Sequence, residues 1–183
     1  FWGSPENGAL DVYQKFHRAY LSIPALKFHH VPGDPAAVRY RGAWFYVVNK
    51  AFYPVRVSFD LGERNTTAVN AVTGETVALG GRFSRELAGH EVLVFRCPAA
   101  VAISGFSQEI PQAQRERIET RIGGWKRAVS RCPDGLGDKA AAAAIIAEAE
   151  RFLANHEYTR CEARLQATVL SNLERALRGG GGP

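Results

Sequence analysis

The sequence predicts an α+β chain: an antiparallel β-sandwich of about seven strands, with an N-terminal helix and a C-terminal three-helix segment. Three observations predict it. Apolar residues recur at helical spacing up to Tyr20, alternate with period two between Ala37 and Phe106, and return to helical spacing from there to Arg178. The implied organisation is an N-terminal helix and linker over residues 1–36, the sandwich over 37–106, a helical appendage over 107–178, and a disordered glycine-rich tail over 179–183.

Leu10, Tyr13, Phe16, His17 and Tyr20 share one helical face, with Asn7 as the N-cap. Ser22-Ile23-Pro24 ends that helix, because the residue before a proline is pushed out of the helical region. A loop through Pro32, Gly33, Asp34 and Pro35 follows. Val38 to Arg41 leads into the sheet, Gly42-Ala43 breaks it, and Trp44 to Asn49 is apolar enough for a strand covered on both faces. Val55, Val57 and Phe59 alternate with Arg56, Ser58 and Asp60, which gives one buried and one wet face. Thr67–Val72 and Glu75–Leu79 flank the hairpin signal Thr73-Gly74, and Gly80-Gly81 makes the next turn. Phe83, Leu87 and Val92 to Phe95 complete the core of the sheet region.

The first C-terminal helix carries Ile110, Ile118, Ile122, Trp125 and Val129. A second, capped by Asp138, runs through alanines to His156. The third, from Glu157 to about Arg178, aligns Cys161, Leu165, Val169, Leu173 and Leu177 before the glycine run stops it.

With 183 residues, 46% apolar and 22% charged, the chain fits one domain, or a small domain with an appendage. No apolar run approaches the roughly 20 residues that span a bilayer, so no membrane partner is expected. The chain starts at Phe1-Trp2 and holds no Met, which reads as a fragment or a processed product. The net charge is +5, but the arginines lie among acids, as in Arg115-Glu116-Arg117-Ile118-Glu119, at spacings that pair along a helix face. A nucleic-acid partner is therefore not expected.

Chemistry is sparse. His17, His29, His30, His90 and His156 are scattered, and Cys97, Cys132 and Cys161 lack metal-ligand spacing, so neither metal nor cofactor is expected. The cysteines read as buried thiols, with a Cys132–Cys161 disulfide as the alternative. Asp60, Glu63, Glu75, Glu86 and Glu91 read as solvated turn acids rather than an acid/base pair. No nucleophile elbow or phosphate loop is present, and Gly123-Gly124, inside a helical pattern, reads as a kink or a close helix contact. No catalytic residue is assigned. Asn65-Thr66-Thr67 matches a glycosylation acceptor in a predicted turn.

One resemblance emerges over roughly a third of the chain. Tyr46-Val47-Val48-Asn49, Pro54 to Phe59, Ala71-Val72-Thr73-Gly74-Glu75-Thr76-Val77 and Leu87 to Phe95 resemble the C-terminal β-sandwich that follows the catalytic barrel in many glycoside hydrolases. His90 stands where an aromatic commonly sits in those domains, and the helices after Phe106 depart from their pattern. The resemblance implies a noncatalytic accessory module that stabilises or shapes a catalytic neighbour. It further implies an upstream catalytic domain or companion chain as partner, polysaccharide as a second one, and a secreted or periplasmic location. Trp44, Tyr46 and Tyr53 are the candidate carbohydrate-binding residues, since aromatic faces stack on sugars, with core or interface packing as the other reading. The alternative function is an independent carbohydrate- or protein-binding module whose helical segment binds a partner.

Overall fold

A computed structural model describes residues 9–62, 67–133 and 139–179. The chain divides into two compact units, Phe1–Ile110 and Pro111–Pro183. The first opens with helix α1 (Ala9–Leu21) and continues into nine strands: β1 (His29–Val31), β2 (Ala36–Arg41), β3 (Trp44–Asn49), β4 (Val55–Asp60), β5 (Thr67–Asn70), β6 (Thr76–Ala78), β7 (Arg82–Leu87), β8 (Val92–Arg96) and β9 (Ser104–Glu109). They form a six-stranded sheet in the order β1-β2-β3-β8-β5-β6 and a three-stranded sheet in the order β7-β4-β9. Every pairing is antiparallel.

The sandwich follows from the alternation. Val55, Val57 and Phe59 of β4 are fully buried, while Arg56 of the same strand is exposed. They meet Phe45 and Val47 of β3, Phe83 of β7 and Phe95 of β8 in one core drawn from both sheets. Phe45 stands at its centre, edge-on to Phe59 at 5.7 Å and stacked with Phe95 at 5.1 Å, geometries that favour the opposed charge of ring edge and face. Two strands add to the roughly seven expected. The pair His29-His30 is not loop but β1, in register with Tyr40 and Arg39. The sheet also runs past Phe106, because the polar strand β9 pairs with β4 and its Gln108 clasps the loop before β2, donating to the Asp34 carbonyl at 2.7 Å and accepting from the Ala36 amide at 2.8 Å.

Buried Asn49 ends β3 and holds the next turn. Its Nδ2 donates to the carbonyls of Tyr53 at 2.8 Å and Ala88 at 2.9 Å, and its Oδ1 accepts from the Ala51 amide at 2.9 Å. The expected hairpin is present between β5 and β6, where Asn70 Oδ1 accepts from the Val72 amide and Gly74 takes a φ of 74° that glycine adopts without strain. The glycosylation match at Asn65 lies outside the described residues, as do Glu63 and the expected caps Asn7 and Asp138.

The second unit comprises α2 (Gln112–Arg131), α3 (Lys139–Ala154), α4 (Tyr158–Arg164) and α5 (Thr168–Gly179). The third helix expected here is thus two helices. Its break is stabilised from a distance: the α2 residue Arg121 donates to the Leu165 carbonyl at 3.0 Å, satisfying a helix-end acceptor at the point where α4 stops. The buried residues that fill this unit include Ile118 and Ile122 of α2, Ala142, Ile146 and Ala149 of α3, Tyr158 and Cys161 of α4, and Leu170 and Leu173 of α5. The Lys126–Glu150 ion pair at 2.8 Å and the Arg164–Glu148 pair at 2.8 Å tie α3 to its neighbours. All three cysteines are buried and none is disulfide-bonded, so the Cys132–Cys161 disulfide is not formed.

Candidate functional site

Trp44 opens β3 directly after the two-residue turn Gly42-Ala43, in which Gly42 takes a φ of 55°. Alternation then sends Trp44, Tyr46 and Val48 to the face of the large sheet opposite the inter-sheet core, where they pack with Ala19 of α1, Ile23, Val92 and Val94. This is why the strand reads as apolar on both sides. Trp44 and Tyr46 are half-buried there. The Arg96 guanidinium sits 5.9 Å from the Trp44 ring centre, and Phe28 meets Tyr46 edge-on at 5.0 Å.

Tyr53 lies elsewhere. Its ring packs against the inter-sheet core with the turn that Asn49 holds, on the other side of the large sheet from Trp44 and Tyr46. The structure therefore brings Trp44 and Tyr46 together but not Tyr53, and a platform of all three is not formed.

The exposed aromatic surface is on α1. Tyr13, Phe16 and Tyr20 are 39%, 37% and 61% exposed, and Leu21 at the helix end is 79% exposed. Phe16 and Tyr20 stack at 6.2 Å. Among the α1 residues whose side chains are described, small Ala19 is the one buried against the sheet. The helix thus turns its large apolar row outward, the reverse of what burial alone would select. Ser22 fixes the helix end, its Oγ donating to the Arg18 carbonyl at 2.7 Å. A further exposed ring, Phe52 at 81%, meets His90 edge-on at 4.3 Å. Burial lowers the His90 pKa from its ordinary value.

Asp60, Glu86 and Glu91 each face a different partner rather than one another. Asp60 joins Arg82 at 3.2 Å, Glu86 faces Arg56 across the strands at 4.0 Å, and Glu91 accepts from the Ala88 amide at 2.8 Å. Among the described residues no three His, Cys, Asp or Glu side chains gather in a way that could hold a metal ion. No described helix is long and apolar enough to cross a membrane.

A cavity of about 550 Å³ opens in the helical unit, between α2 and the end of α3. Ile122, Gly123, Leu153 and Ala154 supply its apolar lining. Arg115, Glu119, Lys126, Glu150 and His156 supply its charge. His156 is placed there by a helix stop: it adopts a φ of 57°, its amide donates to the Leu153 carbonyl, and the Glu157 amide reaches back to Phe152 at 2.8 Å. Its Nδ1 lies 2.9 Å from the hydroxyl of buried Tyr158. Burial raises the Tyr158 pKa, with Arg115 lowering it and Glu119 raising it, so those charges lie close to the His156–Tyr158 pair.

Gly123 lines this cavity, and neither it nor Gly124 makes the close helix contact that the sequence suggested. A Cβ at Gly124 would meet nothing within 4 Å, and one at Gly123 only Arg127 of the same helix at 3.6 Å. Each glycine costs a helix interior about 1 kcal/mol relative to alanine, and no neighbouring helix requires either. The sequence signal was the glycine pair itself, read there as a kink or a close helix contact.

No protein-family model matches the chain, and neither does any curated protein.

Proposed function

We propose that the chain is a noncatalytic accessory module of a carbohydrate-active enzyme, docking on a catalytic neighbour and stabilising or shaping it. The observation that carries the docking role is the aromatic row Tyr13, Phe16 and Tyr20, held outward on a helix that a sheet anchors through Ala19. Rings presented in a row on a supported helix are the usual energetic anchors of protein interfaces. The glycoside hydrolase connection rests on the resemblance of the sheet segments between Tyr46 and Phe95.

A second reading, an independent carbohydrate-binding module, draws on Trp44 and Tyr46, which share one sheet face and retain partial exposure. Affinity electrophoresis through a panel of soluble polysaccharides separates the two, with Trp44→Ala as control and reducing-sugar release measured on the same glycans. The docking role predicts no retardation and no hydrolysis. Retardation that a folded Trp44→Ala variant loses establishes the binding module instead, and hydrolysis by the wild-type chain overturns both.

A further inference from the structure

The cavity between α2 and α3 has the parts of a small-molecule site that the docking role does not use. It is an open groove whose volume of about 550 Å³ falls within the range of small-ligand pockets. Arg115 and Lys126 stand about 16 Å apart along α2, at a rise of about 1.5 Å per residue. The Lys126–Glu150 pair marks one end. Arg115, Glu119 and His156 mark the other, where Tyr158 feels both the guanidinium and the carboxylate.

The polar end is arranged for an anion. Arg115 uses its Nε on Glu119 at 3.0 Å, and no described residue takes its terminal nitrogens, a fork that matches a carboxylate. The Tyr158 hydroxyl lies 2.9 Å from His156 Nδ1, and in the tautomer whose Nδ1 accepts that hydrogen bond the ring offers its Nε2 proton as a second donor. No described residue takes that nitrogen. Between the two ends Ile122 and Leu153 offer apolar surface, and Gly123 lacks the side chain that would fill the space beside them.

We infer that this cavity binds a small carboxylate with a short apolar body, the carboxylate on Arg115 and His156 and the body over Gly123, Ile122 and Leu153. Gly123 is then a specificity residue: its missing Cβ makes the room.

Hexanoate titrated into the full chain, followed through backbone amide resonances, tests this. The expected result is saturable shifts at Gly123 and His156, with acetate and hexanol, each lacking one half of the ligand, at least about ten-fold weaker. Gly123→Ala raises the thermal midpoint by about 2–4 °C through helix propensity and weakens hexanoate at least about five-fold. Gly124→Ala raises the midpoint similarly and leaves binding unchanged. Arg115→Gln, which alters no backbone, weakens hexanoate and leaves hexanol as it was. Absence of saturable shifts at these amides overturns the site. Equal binding by Gly123→Ala, equal loss in Gly124→Ala, or acetate or hexanol as tight as hexanoate overturns the assignment of its parts.

Discussion

The two units fill their interiors differently. The sandwich closes around stacked and edge-on rings, Phe45, Phe59, Phe83 and Phe95, contributed by both sheets. The helical unit is filled mainly by aliphatic residues, several of them as small as Ala142 and Ala149, around a single described buried ring, Tyr158, and it leaves an open cavity beside Gly123. Interdigitated large rings leave little space, whereas small residues bring helix backbones close at some points and leave gaps at others. One unit therefore has its apolar opportunity on the face of α1, and the other has it in an open groove between two helices.

The largest expected effect tests the closed core. Phe59→Ala removes a fully buried ring from contact with Phe45 and Phe83 and is expected to cost about 3–5 kcal/mol, read as a fall in the urea midpoint. A cost below about 1 kcal/mol would place the rings in a loose interior and erase the contrast. Asn49→Ala comes next. It strands the carbonyls of Tyr53 and Ala88 and the amide of Ala51, for an expected loss of about 2–3 kcal/mol in the same measurement. In the helical unit, Arg121→Gln withdraws the donor from Leu165 and is expected to cost about 1–2 kcal/mol, with amide exchange quickened at the junction of α4 and α5.

A smaller effect depends on pH. Because burial lowers the His90 pKa, the unfolded chain takes up a proton at a higher pH than the folded one. Stability therefore falls as pH drops below about 6.5, the ordinary histidine value, and continues to fall down to the lower folded value. His90→Asn, which tolerates the positive φ, flattens that part of the stability profile. An unchanged profile would show His90 to be solvated in the folded state.

The sequence made the two-faced strands readable because period two is unambiguous when a strand has one apolar side: Val55, Val57 and Phe59 lie where alternation puts them. It hid β9, whose residues Ser104–Glu109 are held by pairing with β4 and by Gln108 rather than by burial of an apolar stripe. It hid the stop between α4 and α5 because the stabilising donor, Arg121, lies 44 residues away from Leu165. Helical periodicity identified the row Tyr13, Phe16 and Tyr20, yet periodicity names a face without saying whether a core or a partner covers it. Of the candidate site, Trp44 and Tyr46 were legible as neighbours on one strand face. Tyr53 was not separable from them, since the Asn49 contacts that turn its loop to the other side are tertiary.

The docking role is tested most directly by calorimetry of Phe16→Lys/Tyr20→Lys in two settings: the isolated chain, and a polypeptide joining it to the catalytic neighbour proposed for it above. Both rings are exposed, so the isolated chain should unfold within about 0.5 kcal/mol of wild type. In the joined polypeptide the account predicts a catalytic-domain transition lowered by several degrees. A joined polypeptide that unfolds as wild type does would contradict it, because the aromatic row would then anchor nothing.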